Sequence, residues 1–348
     1  MQEEKILVLG GGLAGCVLAH ELQKYNSKVY LADDFFEKSS SRVAAGIFNP
    51  ILAGHKRVTW RDSDFFDFFP LYYKSLEQKM KTNFFHPMPM LHFLDSIEDQ
   101  NEWDALQTGK PISNWFSIFN EKISSQFNAQ FGAVKIHGTG WLDTRLFVQE
   151  THAYFKAHHK FIAHKIPQNE IKVKQNGYEV MSEFYDKIVL CTGEMEHKDG
   201  FFTYLPFKPV KGEILDIEFK GSLDPIIYHK KVFLLPIQNQ MARVGSTYIW
   251  DKLDYEAEPT SIDFLNEKLS DFFKLPYTIK HVHASLRPAT NDRRPYLGEH
   301  PSYKNLYIFN GMGSKGVSMV PYWAKQLGEF IFQEKPLDKD AWIGRVRG

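Results

Sequence analysis

Residues 5–15, which read KILVLGGGLAG, decide how the rest of this chain is interpreted. The apolar run 5–9 ends at a glycine, as a short buried strand of a parallel sheet does. Gly10, Gly12 and Gly15 have the G-x-G-x-x-G spacing, which serves a tight turn, close approach of the backbone to a pyrophosphate, and close packing of helix on strand. The segment therefore predicts a strand, a loop and a helix whose N-terminal amides point at a phosphate.

The residues that follow complete a dinucleotide-binding unit. Apolar residues at helical spacing between Ala14 and Leu22 predict the helix, and residues 29–32 (VYLA) predict a second strand. Asp33 comes directly after that strand and 18 residues after Gly15, where an acid binds the hydroxyls of a ribose. With strand, helix, second strand and acid in register, the glycine spacing indicates nucleotide binding rather than an ordinary turn.

The composition limits the classes of function. Lysine and arginine equal aspartate and glutamate, 42 each, so the net charge is zero and no global field attracts nucleic acid or an acidic membrane. We expect no membrane span, since no apolar run reaches the roughly 18 residues required, and no signal peptide, since Glu3 and Glu4 precede the apolar start. Cys16 and Cys191 lack metal-binding spacing, so we expect no metal site and a cytoplasmic protein.

Four further segments have residues that suit a chain passing close to a ligand. They are AAGI at 44–47, VLCTG at 189–193, LRP at 286–288 and GMGSKG at 311–316. Taken singly, each is also compatible with a packed loop or a turn at the end of a strand. The last one follows a predicted strand and gives a second glycine loop that enters a second helix.

In this order, the five segments resemble the FAD-dependent amine and amino-acid oxidoreductases of the D-amino acid oxidase superfamily. That group includes glycine and sarcosine oxidases and the oxidase half of a bifunctional tRNA-modifying enzyme. The resemblance covers nearly the whole chain and is weakest over residues 84–131. It implies an enzyme that oxidises a C–N bond of a small amino acid or secondary amine by hydride transfer to FAD. It also implies non-covalent FAD, because no cysteine follows Cys191.

The resemblance assigns roles to individual residues. Arg287 would bind the substrate carboxylate, and Asp33, with Asp34 beside it, would contact the adenosine ribose. Lys315 would either promote the reaction with oxygen or face water, and we expect the second. The other cofactor-binding residues that the resemblance implies are Gly10, Gly12, Leu13, Ala14, Gly15, Arg42, Ala45, Gly46, Ile47, Ile166, Thr192, Gly193, Gly313, Ser314, Gly316 and Val317, together with Lys315 itself.

We expect an α/β plus α+β fold, with a Rossmann-like FAD-binding domain and an antiparallel-sheet substrate domain inserted in the sequence. A length of 348 residues suits about two domains. Alternating β patterns over residues 206–249 support the second sheet. We also assign the segment 84–131, which is irregular and contains prolines, to the second domain. The predicted ranges are 1–80, 132–200 and 282–348 for the FAD-binding domain, and 81–131 and 201–281 for the substrate domain.

Two other functions stay open on the sequence alone. One is oxidation of a modified tRNA nucleoside side chain, which the GSKG at 313–316 and basic clusters at 56–61 and 208–211 favour. The zero net charge makes nucleic acid an unlikely partner, because neutralising phosphates requires a basic face. The other is a non-catalytic flavin-binding protein. The sequence does not specify the substrate, the electron acceptor, the general base or the oligomeric state.

Overall fold

A computed structural model describes residues 3–197, 200–238 and 240–346. Its strands in chain order are β1 Ile6–Leu9, β2 Val29–Asp33, β3 Ile47–Phe48, β4 Ile51–Leu52, β5 Arg57–Val58, β6 Phe85–Pro87, β7 Met90–Phe93, β8 Phe116–Phe119, β9 Ala133–Ile136, β10 Gly140–Leu142, β11 Phe161–Ala163, β12 Lys172–Lys174, β13 Gly177–Val180, β14 Glu183–Tyr185, β15 Lys187–Leu190, β16 Val210–Phe219, β17 Ile227–His229, β18 Phe233–Pro236, β19 Met241–Gly245, β20 Tyr277–Arg287, β21 Tyr296–Glu299 and β22 Leu306–Asn310. Its α-helices are α1 Leu13–Leu22, α2 Ser40–Val43, α3 Asp62–Phe66, α4 Phe69–Met80, α5 Ile97–Asp104, α6 Thr144–Ala157, α7 Pro259–Ser270 and α8 Gly316–Gln333.

The first large sheet is built around β1 and has the order β11-β2-β1-β15-β22-β21. All neighbours in it are parallel except β22 and β21. β1 is wholly buried because both faces of the sheet are covered. Ile6 and Val8 face the core formed with α1 and α8, whereas Leu7 and Leu9 face the meander β12–β14. The predicted Rossmann-like half of the fold is confirmed.

The second large sheet has the order β20-β16-β19-β18-β17-β7-β9-β8 and is antiparallel except where β17 pairs with β7. Leu215 and Ile217 on one face pack with Leu265 and Leu269 of α7. The opposite face packs around Trp103 of α5 at its β7–β9 end and borders a cavity at its β20–β17 end. The expected antiparallel second sheet is therefore confirmed.

The segment 84–131 is more regular than we expected, because it supplies β6, β7, α5 and β8. Pro87 ends β6 and Pro89 precedes β7, so these prolines bound the strands instead of interrupting them. The division of the chain into an FAD-binding and a substrate domain stays a proposal. In the described part of the chain, no helix is both long and apolar enough to cross a membrane.

Candidate active site

A cavity of about 1490 Å³ lies between the carboxyl ends of the parallel strands and the cavity-facing side of the second sheet. Every predicted site residue lines it except Gly15. Pockets for small ligands occupy about 300–1,000 Å³, so this one has room for a dinucleotide and a small substrate together. The crevice outside the carboxyl ends of the strands is also where open α/β sheets bind ligands.

The glycine loop after β1 leaves no space for side chains. Gly10 has φ +103°, and a Cβ there would lie 2.4 Å from the carbonyl oxygen of Cys191. A Cβ on Gly15 would lie 1.8 Å from the carbonyl oxygen of Gly10, so Gly15 serves the packing of α1 on the strand. Gly12 has no side chain with which to cap α1, and Oγ of Ser41 accepts a hydrogen bond of 2.8 Å from the amide of Leu13, the first residue of the helix. The first turn borders the cavity, and its other amides suit a diphosphate.

Asp33 faces this loop from the end of β2. Its Oδ1 accepts a hydrogen bond of 3.1 Å from the amide of Gly11, and its Oδ2 accepts one of 3.3 Å from Phe35. Behind the loop, Nε2 of His152 on α6 lies 2.8 Å from the carbonyl oxygen of Gly11 and 3.6 Å from Oδ2 of Asp33. Burial lowers the pKa of His152, so a neutral ring supports the loop from the side away from the cavity.

The predicted residues around Asp33 complete the same end of the cavity. Arg42 is buried, and its Nη1 donates to Glu37 at 3.1 Å while its Nη2 lies 3.9 Å from Asp33. Asp34 is exposed at the rim, and Ile166 is buried at the far wall.

Two predicted backbone turns close the wall opposite Asp33. A Cβ on Gly46 would lie 1.9 Å from the carbonyl oxygen of Leu142, so the 44–47 turn accepts only glycine there. At the end of β15, the hydroxyl of Thr192 donates to Glu196, and Nδ2 of Asn310 donates to the carbonyl of Gly193 at 2.8 Å.

The second glycine loop, 311–316, lies between the glycine loop after β1 and the second large sheet on the cavity wall. The amide of Gly313 donates to the carbonyl of Pro288 at 3.1 Å, directly after Arg287. Lys315 precedes α8, and its Nζ donates to the carbonyl of Asn49 at 3.2 Å. We expected Lys315 to face water, and the turn directs its side chain along the cavity wall; its role there stays a prediction. Burial there lowers the pKa of Lys315 to about 8.

Arg287 lies at the end of β20 and extends across the neighbouring strand β16. A Cβ on Gly212 of β16 would lie 2.1 Å from Nη2, so the guanidinium occupies the place of a missing side chain. Nη2 donates to Oγ of Ser246 at 2.9 Å, and Nη1 donates to the carbonyl of Thr247 at 3.1 Å. The guanidinium carbon lies 4.4 Å from the ring centre of Tyr248.

No carboxylate forms an ion pair with Arg287 within 4.0 Å in the parts of the chain that the structure describes. Burial lowers the pKa of Arg287 from its ordinary value, but a guanidinium stays charged in proteins. Within the described ranges, Arg287 is therefore a cation of the cavity wall without an anionic partner.

Comparison with known proteins agrees with this geometry. Residues 5–330 match the family described as FAD dependent oxidoreductase (DAO). The chain belongs to this family. It is an FAD-dependent oxidoreductase.

Individual relatives are distant in sequence. Glycine oxidase of Bacillus licheniformis is 29% identical over 140 residues, which are 39% of this chain and 37% of that protein. Glycine oxidase of Bacillus subtilis is 23% identical over 368 residues, covering 98% of this chain and 96% of that protein. The tRNA 5-methylaminomethyl-2-thiouridine biosynthesis bifunctional protein MnmC of Marinobacter nauticus is 22% identical over 360 residues; the match covers 95% of this chain but 56% of that protein.

The fold has close counterparts among solved structures. The crystal structure of glycine oxidase from Bacillus cereus superposes with a TM-score of 0.77 at 18% identity and covers 96% of each chain. At this identity the likeness concerns the fold, which agrees with the two sheets described above.

The residues of this FAD-dependent oxidoreductase fit the cofactor. The first turn of α1 and the glycine loop suit the diphosphate, and the carboxylate of Asp33 would serve as the acceptor for a ribose. The N-terminus of α8, which has no side-chain cap, would direct its positive end at the pyrimidine edge of the flavin.

Sequence reasoning missed several residues of the substrate side. Gly212 had a usable signal, because a lone glycine inside a β pattern marks close approach of another group. Tyr248 and His229 had none, since only the sheet register brings them to the cavity.

His229 and His92 form a buried pair on neighbouring strands. Their Nδ1 atoms are 2.9 Å apart, so one ring donates and the other accepts. Burial lowers the pKa of His229 to about 3 and that of His92 to about 4. The pair therefore presents an uncharged imidazole to the cavity.

Proposed function

We propose that this enzyme oxidises the C–N bond of a small amino acid or carboxylate-bearing secondary amine. The observation that carries the proposal is Arg287, a half-buried cation without a carboxylate partner among the described residues, in the cavity that the glycine loop also lines. A charge that is largely withdrawn from water normally has a partner, so we expect the ligand to supply the anion.

The guanidinium has donors left for that anion. A guanidinium carries five N–H groups, and the described residues use two of them, at Ser246 and Thr247. The other three can bind a carboxylate in the two-pronged manner that lysine cannot reproduce.

The rest of the substrate would pack against apolar side chains of the cavity. Ile214 and Phe233 line the cavity beside Arg287, and Met90 and Leu52 line it further along. No acid of the described chain pairs with Arg287 there. Burial favours the neutral form of the substrate amine over the ammonium form. The neutral form is the one whose neighbouring carbon can lose hydride. FAD, when bound, accepts that hydride from the carbon next to the amine.

Matched pairs of amines test this proposal. Glycine with methylamine, sarcosine with dimethylamine and proline with pyrrolidine each differ by one carboxylate. We expect anaerobic mixing to bleach the flavin absorbance with at least one carboxylate member and with its amine counterpart far more slowly. Equal rates within every pair would contradict the role of Arg287, and absence of bleaching by any amine would contradict catalysis on this substrate class.

A tRNA nucleoside is the second candidate, because the likeness to MnmC covers 95% of this chain. Within the basic clusters that favoured it, Lys56, Arg61 and Lys211 are paired with acids. Nζ of Lys56 lies 2.6 Å from both Asp99 and Glu102, and Arg61 contacts Asp338 and Asp64 at 2.5 and 2.7 Å. Lys211 is buried. We therefore infer that phosphates are not bound there.

Gel retention of tRNA at about 50 mM salt separates the candidates, since phosphate-driven binding is strongest at low salt. We expect no retention. Retention that weakens steeply with salt would favour the nucleoside substrate.

We also propose that FAD is held without a covalent bond. Acid precipitation of the purified yellow protein should release the flavin to the supernatant, whereas flavin in the pellet would contradict it.

A further inference from the structure

A second cation, Lys211, lies buried on the opposite face of the strand that Arg287 crosses. Its side chain is 0% exposed, and its Nζ lies 2.6 Å from Asp254, 3.4 Å from Glu213 and 3.5 Å from Glu258. Burial opposes its charge, but the neighbouring carboxylates raise the pKa of Lys211 above its ordinary value. This cation is therefore fully compensated.

Side-chain alternation along β16 explains the two faces. Lys211 and Glu213 point towards α7, whereas Gly212 between them faces the cavity and lies under the guanidinium of Arg287. Arg287 pairs in register with Val210, so its side chain leaves the sheet on the Gly212 side.

Two of the three acids around Lys211, Asp254 and Glu258, belong to the segment 246–258, which follows β19. Lys211 and Ile249 exchange two backbone hydrogen bonds of 2.9 and 3.0 Å. The amide of Glu213 donates to Oγ1 of Thr247 at 2.9 Å, and the amide of Glu258 donates to Oε1 of Glu213 at 2.9 Å. The segment 246–258 is thus fixed to β16 from the Lys211 face.

The same segment holds Arg287 on the cavity face. Its two hydrogen-bond acceptors, Oγ of Ser246 and the carbonyl of Thr247, both belong to the segment, as does the ring of Tyr248 above it. Thr247 is bound to Glu213 through its hydroxyl and to Arg287 through its carbonyl. Movement of this residue would therefore turn the guanidinium.

We propose that Lys211 is a positioning residue for Arg287. With Glu213, Asp254 and Glu258 it anchors the segment 246–258, so that Ser246 and Thr247 aim the guanidinium into the cavity. The inference rests on the proposed function, in which Arg287 binds the substrate carboxylate. Two-pronged binding of a carboxylate depends on orientation, and a misplacement of about 1 Å costs up to a hundredfold.

The test variant is Asp254→Ala. Asp254 makes the shortest contact with Lys211, yet its side chain is 39% exposed, so the variant should fold. We expect the dissociation constant of acetate, measured on the holoenzyme by calorimetry, to rise about ten- to hundredfold. KM for carboxylate substrates should rise similarly, while the kinetics of amines without a carboxylate change less than about twofold. Asp254→Glu should restore most of the acetate affinity.

Asp338→Ala is the matched control. Asp338 also pairs with a cation, Arg61 at 2.5 Å, and also accepts from the amide two residues ahead, at 2.8 Å. Arg61 keeps a second acid, as Lys211 does, but contacts neither Arg287 nor the segment 246–258. We expect Asp338→Ala to leave acetate affinity unchanged.

The outcomes separate this inference from the proposed function. If Arg287→Ala abolishes acetate binding while Asp254→Ala behaves like Asp338→Ala, the positioning role of Lys211 is overturned and the proposed function stands. If Arg287→Ala itself leaves acetate binding unchanged, the proposed function has failed. If the thermal midpoint of Asp254→Ala falls but acetate affinity does not, the network around Lys211 is only structural.

Discussion

A cation lies against each face of β16, buried on one face and half-buried on the other, and the protein treats the two in opposite ways. On the α7 face, Lys211 is surrounded by the carboxylates of Glu213, Asp254 and Glu258. On the cavity face, Arg287 is held by a hydroxyl, a carbonyl and an aromatic ring, none of which carries a charge. Their pKa values move accordingly, with that of Lys211 raised by its acids and that of Arg287 lowered by burial.

The difference distinguishes a structural charge from a binding charge. Desolvating a cation is costly, and an ion pair with good geometry offsets the cost within the protein. Where the fold supplies neutral acceptors instead, the guanidinium is oriented but not neutralised, and a ligand carboxylate completes it. The comparison therefore predicts opposite consequences for removing the two charges.

The largest expected effect is on protein stability, and it should follow from removing the charge of Lys211. Lys211→Met leaves Glu213, which is 1% exposed, without its cation, so we expect the free energy of unfolding to fall by about 3–5 kcal/mol. Arg287→Met strands no carboxylate of the described chain and should stay within about 1 kcal/mol of the wild type. Urea unfolding of both holoproteins measures the difference, and equal losses would remove the contrast between the faces.

For catalysis, removing the charge of Arg287 should have the larger effect. Arg287→Ala should fold and keep FAD but lose about 2–5 kcal/mol in kcat/KM for carboxylate-bearing amines, as one-sided loss of a buried charge pair does. Arg287→Lys should recover only part, since an ammonium group cannot reproduce a bidentate contact. Near wild-type efficiency of Arg287→Ala with the best carboxylate substrate would return this arginine to a structural role.

The contrast between the two cations could be predicted only in part from the sequence. Arg287 stood in a short motif, L-R-P, whose resemblance to a family gave it a role. Lys211 looked like one half of a basic surface cluster with Lys208, because alternation along a strand does not tell which face is covered. The three acids that neutralise Lys211 lie on β16 itself and in the segment 246–258, and the segment reaches β16 through tertiary contacts such as the pairing of Lys211 with Ile249.

The nucleotide end was predictable for the opposite reason. Gly10 to Asp33 form one local strand–helix–strand unit, so spacing along the chain determines their arrangement in space. Lys315 and His229 depend on contacts between distant segments, and their environment followed from no local pattern. His152 is similar, because a histidine on the inner face of a helix gives no sign that it supports a glycine loop.

Gly212 allows the comparison to be tested without removing either charge. A Cβ there would lie 2.1–2.4 Å from the guanidinium, which is the mobile end of a long side chain and can move away cheaply. Gly212→Ala should therefore weaken acetate binding about ten- to hundredfold with little loss of stability. Gly54→Ala is the matched control, because nothing lies within 4 Å of a Cβ at that position. Equal acetate affinity in the two variants would show that Arg287 does not depend on the space above Gly212.

The smallest expected effect concerns a third cation, Lys315. It has no ion pair within 4.0 Å among the described residues, donates only to the carbonyl of Asn49, and has its pKa lowered to about 8 by burial. Below pH 8 its Nζ is charged and adds to the attraction of an anion to the cavity, whereas above pH 8 it is neutral and Arg287 alone remains charged. Acetate affinity of the holoenzyme should therefore fall as the pH rises through about 8. The decrease should be about two- to tenfold, the size of a Coulomb interaction between separated charges in one cavity at intermediate dielectric. Calorimetric titration from about pH 6.5 to 9.5 measures it, and acetate is the suitable probe because it has no amine that titrates in this range.

Lys315→Met should show the weaker, high-pH affinity throughout. An inflection near pH 8 that persists in Lys315→Met would assign the titration to another group.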